Sequence, residues 1–220
     1  MAPPRLLDGA EIAFFSDIQR MISRKKERLP RVISKICAAD AAYRDETVVA
    51  VATLFVEGRL SEWSSYSGRC ALPYVSGLFY LREGPFVTEA VRRLKSRPQL
   101  VCFDAHGTAH PRLAGLATVC GMILGIPSVG IAKSLLVGTP APVEGSSRRI
   151  VYRGRTVGFV VGAGGKRRYW SPGYSVSLRG LESVILRCES ECLQAIEESD
   201  KIARALVRTQ EESFRHQKNA

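Results

Sequence analysis

This sequence is poor in histidine, in acid and in paired cysteine. Its 220 residues hold three histidines, 21 acidic residues against 32 basic ones, and six cysteines, none of them in a C-x-x-C pair. Three of the six cysteines sit inside apolar runs (Ile36-Cys37-Ala38, Val101-Cys102-Phe103, Val119-Cys120-Gly121). They read as small buried hydrophobes of a reduced, intracellular protein rather than as a disulfide framework. An apolar leader is missing as well, since Met1 to Gly9 holds prolines and charges. The longest stretch without charge, Leu113 to Ala132, is divided by Pro127, diluted by glycines and closed by Lys133. It predicts a buried helix followed by a buried strand, not a membrane span. Low-complexity tracts and internal repeats are also absent, and aliphatic residues are abundant throughout, which excludes disorder as the main state.

What the sequence does have is positive charge, and it is concentrated. The net charge is +11; Arg20 to Lys35 contributes +6 and Gly145 to Trp170 contributes +7, so the remainder is slightly acidic. Two such runs in a chain this short point to a polyanionic partner. The length suits a single domain spanning residues 1–220, with a charged N-terminal helix over about 9–29 and a polar tail over about 209–220. The expected cellular site is the cytoplasm, or the nucleus of a eukaryote.

The element pattern is mixed. Val32 to Ala39 predicts a strand ending at Asp40, Thr47 to Glu57 a second strand, and Leu60 to Tyr66 a third that pairs back after Gly58. Phe86 to Arg97 predicts a helix, Leu100 to Phe103 a strand buried on both faces, Arg112 to Leu124 a helix, and Ile126 to Ala132 another buried strand. A hairpin is expected across Arg153-Gly154, and two helices over Val176–Cys188 and Cys192–Arg208. An antiparallel meander followed by helix–strand–helix–strand makes an α/β fold: a mixed sheet flanked by helices, with reactive groups where strand ends meet loops.

Three carboxylates can meet at such a rim. Asp40 follows the first strand, Asp104 follows Leu100 to Phe103, and Glu83 lies in an expected loop, Tyr80 to Pro85. Clustered acids repel one another unless a cation holds them, and hard oxygen ligands suit Mg²⁺ or Mn²⁺, which clamp a phosphoryl group for attack by water. His106 and His110 have zinc-like H-x-x-x-H spacing, but Gly107 and Pro111 oppose the helix that such a site needs. Lys133, after a buried strand, is either a surface charge or one aimed at a phosphate.

The sequence resembles the endonuclease V family, nucleases that cut nucleic acid near deaminated bases. The resemblance is carried by Ala39-Asp40-Ala41, Pro73-Tyr74-Val75-Ser76-Gly77, Phe79 to Pro85, Phe103-Asp104 with Gly107, Ala109-His110-Pro111-Arg112, Gly130 to Ser134, and Ser171-Pro172-Gly173. It implies a ribonuclease H-like fold, with Asp40, Glu83 and Asp104 holding Mg²⁺ (Mn²⁺ as a substitute) and Lys133 and His110 completing the catalytic set. It also implies that Pro73, Tyr74, Val75 and Ser76 form a wedge that fills the gap left by the extruded base. Gly77, Phe79, Ala105, Gly107, Gly115 and Gly121 would line the base pocket. The implied reaction is cleavage one nucleotide 3′ of an inosine. The implied partner is inosine-containing DNA or RNA, without a membrane, and the implied state is a monomer. Three positions depart from the family pattern: Ala105 stands for glycine, Tyr174 for histidine, and Arg204 where the last helix usually turns a His or Asp toward the metal, unless Asp200 one turn earlier serves. Two other readings are a deaminated-base binding module that cleaves weakly and a structure-selective nuclease of the same fold.

Overall fold

The computed structural model describes residues 7–22, 29–70, 72–142 and 148–218, with side chains described through Thr209. After helix α1 (Gly9–Ile22) comes the meander β1 (Lys35–Arg44), β2 (Thr47–Val56) and β3 (Arg59–Arg69). Then follow α2 (Phe79–Arg92), β4 (Leu100–Phe103), α3 (Leu116–Leu124) and β5 (Ser128–Ala132). The chain continues through β6 (Thr139–Pro140), β7 (Arg148–Tyr152), β8 (Arg155–Val161) and β9 (Arg168–Pro172), and ends in α4 (Leu178–Lys218). The nine strands form one sheet in the order β3-β2-β1-β4-β5-β9-β8-β7-β6. β1, β4 and β5 are parallel at its centre and the other pairings are antiparallel. This is the expected ribonuclease H-like arrangement.

Strand alternation divides the core in two. Cys37, Ala39, Val101 and Phe103 face α2 and α3, while Ile36, Ala38, Leu100 and Cys102 face α4. Four consecutive apolar residues in β4 are needed because both faces of that strand are covered. All six cysteines are buried and free. The tight β2–β3 and β7–β8 turns place Glu57-Gly58 and Arg153-Gly154 at positive φ, the turn that suits the twist of a two-residue hairpin. No helix among the described residues is long and apolar enough to cross a membrane.

The structure corrects several boundaries, among them α3, which begins at Leu116 rather than Arg112 because the Arg112 segment is irregular, and the end of α2, which lies at Arg92 rather than Arg97. Helix α2 begins at Phe79, seven residues before the expected start, so Glu83 is helical rather than in a loop. Gly84 and Pro85 disguised this turn, yet Gly84 is what lets α2 approach α3: a Cβ there would lie 3.3 Å from Cys120 Sγ. The two C-terminal helices are one, because Cys188 and Cys192 lie four residues apart on one buried face and no Gly or Pro interrupts the intervening turn. That helix also runs through the expected polar tail to Lys218. Strand β9 was hidden by the charges of Lys166 to Arg168 but supplies Trp170 to the core with no exposed surface. The expected extension of α1 to Glu27, with the basic residues Arg24 to Arg28, lies outside the described residues.

Candidate active site

Asp40 and Asp104 owe their meeting to register. β1 and β4 are parallel, with Ala39 opposite Phe103, and β4 stops there, so the next residue on each side is a carboxylate. Contrary to the expected strand end at Asp40, β1 continues to Arg44 with Asp40 paired to Val51 of β2. The rim is made by the early end of β4 alone. Glu83 joins from α2, 7% exposed, and Asp200 from α4.

Their electrostatics record the crowding. Burial, then the charge of Asp104 and more weakly that of Asp200, raises the Asp40 carboxyl to about 7, although the Ala41 N–H and Lys133 pull it down. Glu83 is raised to about 8, by burial first and Asp40 next, with Tyr43 and Arg82 opposing. Tyr43 lies against Glu83, and the Arg82 guanidinium sits 4.7 Å from the Tyr43 ring centre. Lys133 Nζ is 2.5 Å from Asp104 Oδ2. Burial lowers its pKa, but the hydrogen bond and the charges of Asp104, Asp40 and Asp200 outweigh that and hold it raised. This donor set fits a hard divalent cation in its chemistry, since a cation would relieve carboxylates that now resist ionisation. Among the described residues no three acidic, His or Cys side chains already close on one point, so binding would draw the carboxylates together.

Asp200, not Arg204, is the α4 residue that the acids feel. Arg204 is exposed on the next turn and donates from Nε to Asp200 Oδ1 at 2.8 Å. Arg204→Ala should therefore release Asp200 and, for the Mg²⁺ that the family resemblance implies, lower the concentration for half-maximal effect by about two- to fivefold, the worth of one exposed ion pair. An unmoved midpoint in a metal titration would show that Asp200 has no part in cation binding.

Beside the acids lies a cavity of about 370 Å³ with room for one nucleobase, and Asp104 and Lys133 stand in its lining. Tyr74, Gly77, Phe79, Ala105, His106, His110, Gly115 and Gln19 are among its other lining residues. Tyr74 is 62% exposed at the mouth, with its ring centre 6.0 Å from that of Phe79; Ser76 is exposed, and Pro73 and Val75 are half-buried. Of the expected pocket glycines, Gly107 and Gly121 do not line the cavity. Their bare faces meet the protein itself: a Cβ on either would come within 2.0 Å of the Pro172 carbonyl or of Ser128 Oγ. The segment around His106 is irregular, so the two histidines do not share a helical face. His106 Nδ1 is buried and has no hydrogen-bond partner among the described residues.

His110 serves the wall of the cavity, not the acids. Its Nε2–H donates to the Gly77 carbonyl at 3.0 Å, and Nδ1 accepts from the Arg112 N–H at 3.2 Å, so the ring is neutral. Burial and then Arg112 depress its pKa to about 4. The same Gly77 oxygen accepts from Arg112 Nη2 at 2.5 Å and from Gln19 Nε2 at 3.1 Å, while Gln19 Oε1 accepts from Arg112 Nε at 2.5 Å. Gly77 has φ +76°, a conformation open to glycine. The segment Pro73 to Gly77 and the His110 loop are thus tied through one carbonyl to α1.

The endonuclease V family model matches residues 16–194. The chain belongs to the endonuclease V family. An endonuclease V of Geotalea uraniireducens is 41% identical over 69% of this chain and 68% of its own. The crystal structure of endonuclease V from Streptomyces avermitilis superposes with a TM-score of 0.78 at 25% identity, covering 94% of this chain and 99% of that one. Endonuclease V of Ciona intestinalis, solved with a 24mer DNA containing an inosine followed by a ribo-adenosine, shares the fold at TM-score 0.78 and 19% identity, covering 91% and 99%. This chain is accordingly an endonuclease.

In this endonuclease V the Ser171-Pro172-Gly173 motif has a structural task. Ser171 Oγ accepts from the Gly107 N–H at 2.8 Å and the Pro172 carbonyl from the Thr108 N–H at 2.7 Å, which fastens the Asp104 loop to β9. Gln19 was missed from the sequence although a signal exists: it lies on the helical stripe Phe15, Ile18, Gln19, Ile22. A fully buried glutamine on an apolar stripe must find partners, and here it finds the Gly77 and Ala114 carbonyls and Arg112.

Proposed function

We propose that this endonuclease V acts on inosine-containing nucleic acid and hydrolyses a phosphodiester one nucleotide 3′ of the deaminated base, with Mg²⁺ or Mn²⁺ held by Asp40, Glu83 and Asp104. The observation that carries this reading is the sharing of Asp104 and Lys133 between a base-sized cavity and the carboxylate cluster. A base seated in the cavity brings its own backbone to the acids. The cation, when bound, supplies charge stabilisation to the phosphoryl oxygens and lowers the pKa of water. Lys133, half-exposed and paired with Asp104, can turn to a non-bridging phosphate oxygen. Hypoxanthine differs from adenine by an acceptor in place of a donor at position 6, and from guanine by the missing 2-amino group. Backbone N–H groups suit the first difference and a close-fitting wall the second. Extrusion of the base leaves a gap that Tyr74 and its proline neighbour are placed to fill.

Cleavage of matched deoxyinosine DNA and inosine RNA, with and without Mg²⁺, tests the reading and ranks the substrates. Metal-dependent nicking confined to the inosine strand is expected, and equal cutting of unmodified strands would overturn it. The Asp200–Arg204 and Asp104–Lys133 pairs favour a second reading, a binder that cuts poorly, because each occupies a carboxylate. Tight inosine-selective binding without nicking would establish that reading instead. Tyr74→Ala should cost about 1–3 kcal/mol of binding, the worth of one aromatic–base stack, and more on inosine substrate than on undamaged duplex. Equal weakening on both would leave Tyr74 a packing residue.

A further inference from the structure

Two basic runs more than a hundred residues apart in the sequence each send arginine to one groove. Arg20 from the end of α1, Arg112 from the loop after β4, and Arg153 and Arg155 from the β7–β8 turn line a cavity of about 810 Å³ together with Leu113 and Tyr152. No acidic side chain is among its described lining residues. Asp17, the ion-pair partner of Arg20, stands outside it on the exposed face of α1. The Arg153 guanidinium sits 5.1 Å from the Tyr152 ring centre, and the space beside Gly154 is open. Arg112 feels the gathering of like charge: burial first, and then Arg20, depresses its pKa.

A concave surface of four guanidinium groups and one phenol ring has the chemistry of a phosphodiester track, since arginine forks match phosphate oxygens and an aromatic face takes a base. Its location says which phosphates. Gln19 and His110 face the base cavity, while their chain neighbours Arg20, Pro111 and Arg112 face the groove. One wall, held together at the Gly77 carbonyl, separates the two. We propose that this groove binds the sugar-phosphate backbone of a nucleic-acid strand where it continues beyond the base cavity, as a contact area apart from the carboxylate cluster. The inference rests on the proposed nucleic-acid substrate but not on inosine recognition or on the metal.

The test is the double variant Arg153→Gln/Arg155→Gln, which alters two exposed side chains outside the core. Binding of an undamaged duplex of about 30 base pairs is measured in chelator across a salt series; the slope of log K against log salt should fall by about 1.8, and affinity at about 0.1 M salt by about tenfold or more. Arg59→Gln/Arg92→Gln removes the same charge from exposed positions at the β2–β3 turn, on the far side of the sheet, and at the end of α2, and should leave the slope unchanged. An unaltered slope in the groove variant, or an equal fall in the control, would overturn the proposal. Saturable binding of inorganic phosphate that is lost in the groove variant while the oligonucleotide slope stays the same would make this a small-anion site and also overturn it. Because the duplex is undamaged and metal is absent, failure of the inosine cleavage assay leaves this readout intact, and the reverse holds as well.

Discussion

Asp40→Ala and Asp104→Ala should each reduce cleavage by about a thousandfold or more while leaving nucleic-acid binding within a fewfold of wild type. β4 stops at Phe103 opposite Ala39, so the two acids adjoin at that rim, and burial together with the neighbouring charges gives Asp40 no structural reason to be ionised there. Loss of one cation ligand removes several kcal/mol of transition-state stabilisation, and about 4 kcal/mol corresponds to a thousandfold. Near-normal turnover of either variant in Mg²⁺ would remove the carboxylates from the chemistry. Asp40→Asn adds a readout that needs no substrate. The Asp40 carboxyl is raised to about 7 in the fold from an ordinary 3.8, so between those values the native state holds a proton that the unfolded chain has lost. In chelator this group should therefore lower the stability of wild type relative to Asp40→Asn as pH rises from about 4 to about 7, a comparison in which the opposite contribution of His110, depressed to about 4, cancels. Asp40→Asn should be the more stable protein at pH 8 by a few kcal/mol at most. A stability difference between the two proteins that does not change through this window would contradict the buried, crowded placement of Asp40.

Gly107→Ala should lower stability by about 3 kcal/mol, or about 6–12 °C in Tm for a domain of this size. The new methyl carbon would fall 2.0 Å from the Pro172 carbonyl oxygen and 3.1 Å from the Gly173 nitrogen, both backbone atoms that no side-chain rotation can move aside. That carbonyl accepts the Thr108 N–H, and the Gly107 N–H bonds Ser171 Oγ, so relief of the clash also breaks the ties that hold the Asp104 loop. Gly165→Ala, where a Cβ meets nothing within 4 Å, is the control and should melt within a degree or two of wild type. An unchanged melting temperature for Gly107→Ala would mean that β9 is not docked on this loop.

The identity of the carboxylates, the buried β4 and the two glycine-bearing hairpin turns were legible in the sequence. Each is written in residues close together: a run of four apolar residues bounded by Gln99 and Asp104, or a two-residue turn that demands positive φ. The wedge and acid motifs were likewise contiguous, and the family resemblance followed from them. Local pattern misled where a residue's reason lay elsewhere in the chain. Gly84-Pro85 suggested a break in what is helix α2, because the contact with Cys120 that favours a glycine there comes from α3. The charged Glu189 to Glu191 suggested a gap that continuous burial of Cys188 and Cys192 forbids. Tertiary structure alone decided that Asp200 rather than Arg204 adds its charge to that of Asp40, that His110 binds the Gly77 carbonyl, and that Arg20 and Arg153 share a groove. These are encounters between groups 33 to 160 positions apart, set by strand order and helix docking. The periodicity of a sequence determines which face a residue takes on its own element. Only the packing of one element on another determines what that face meets.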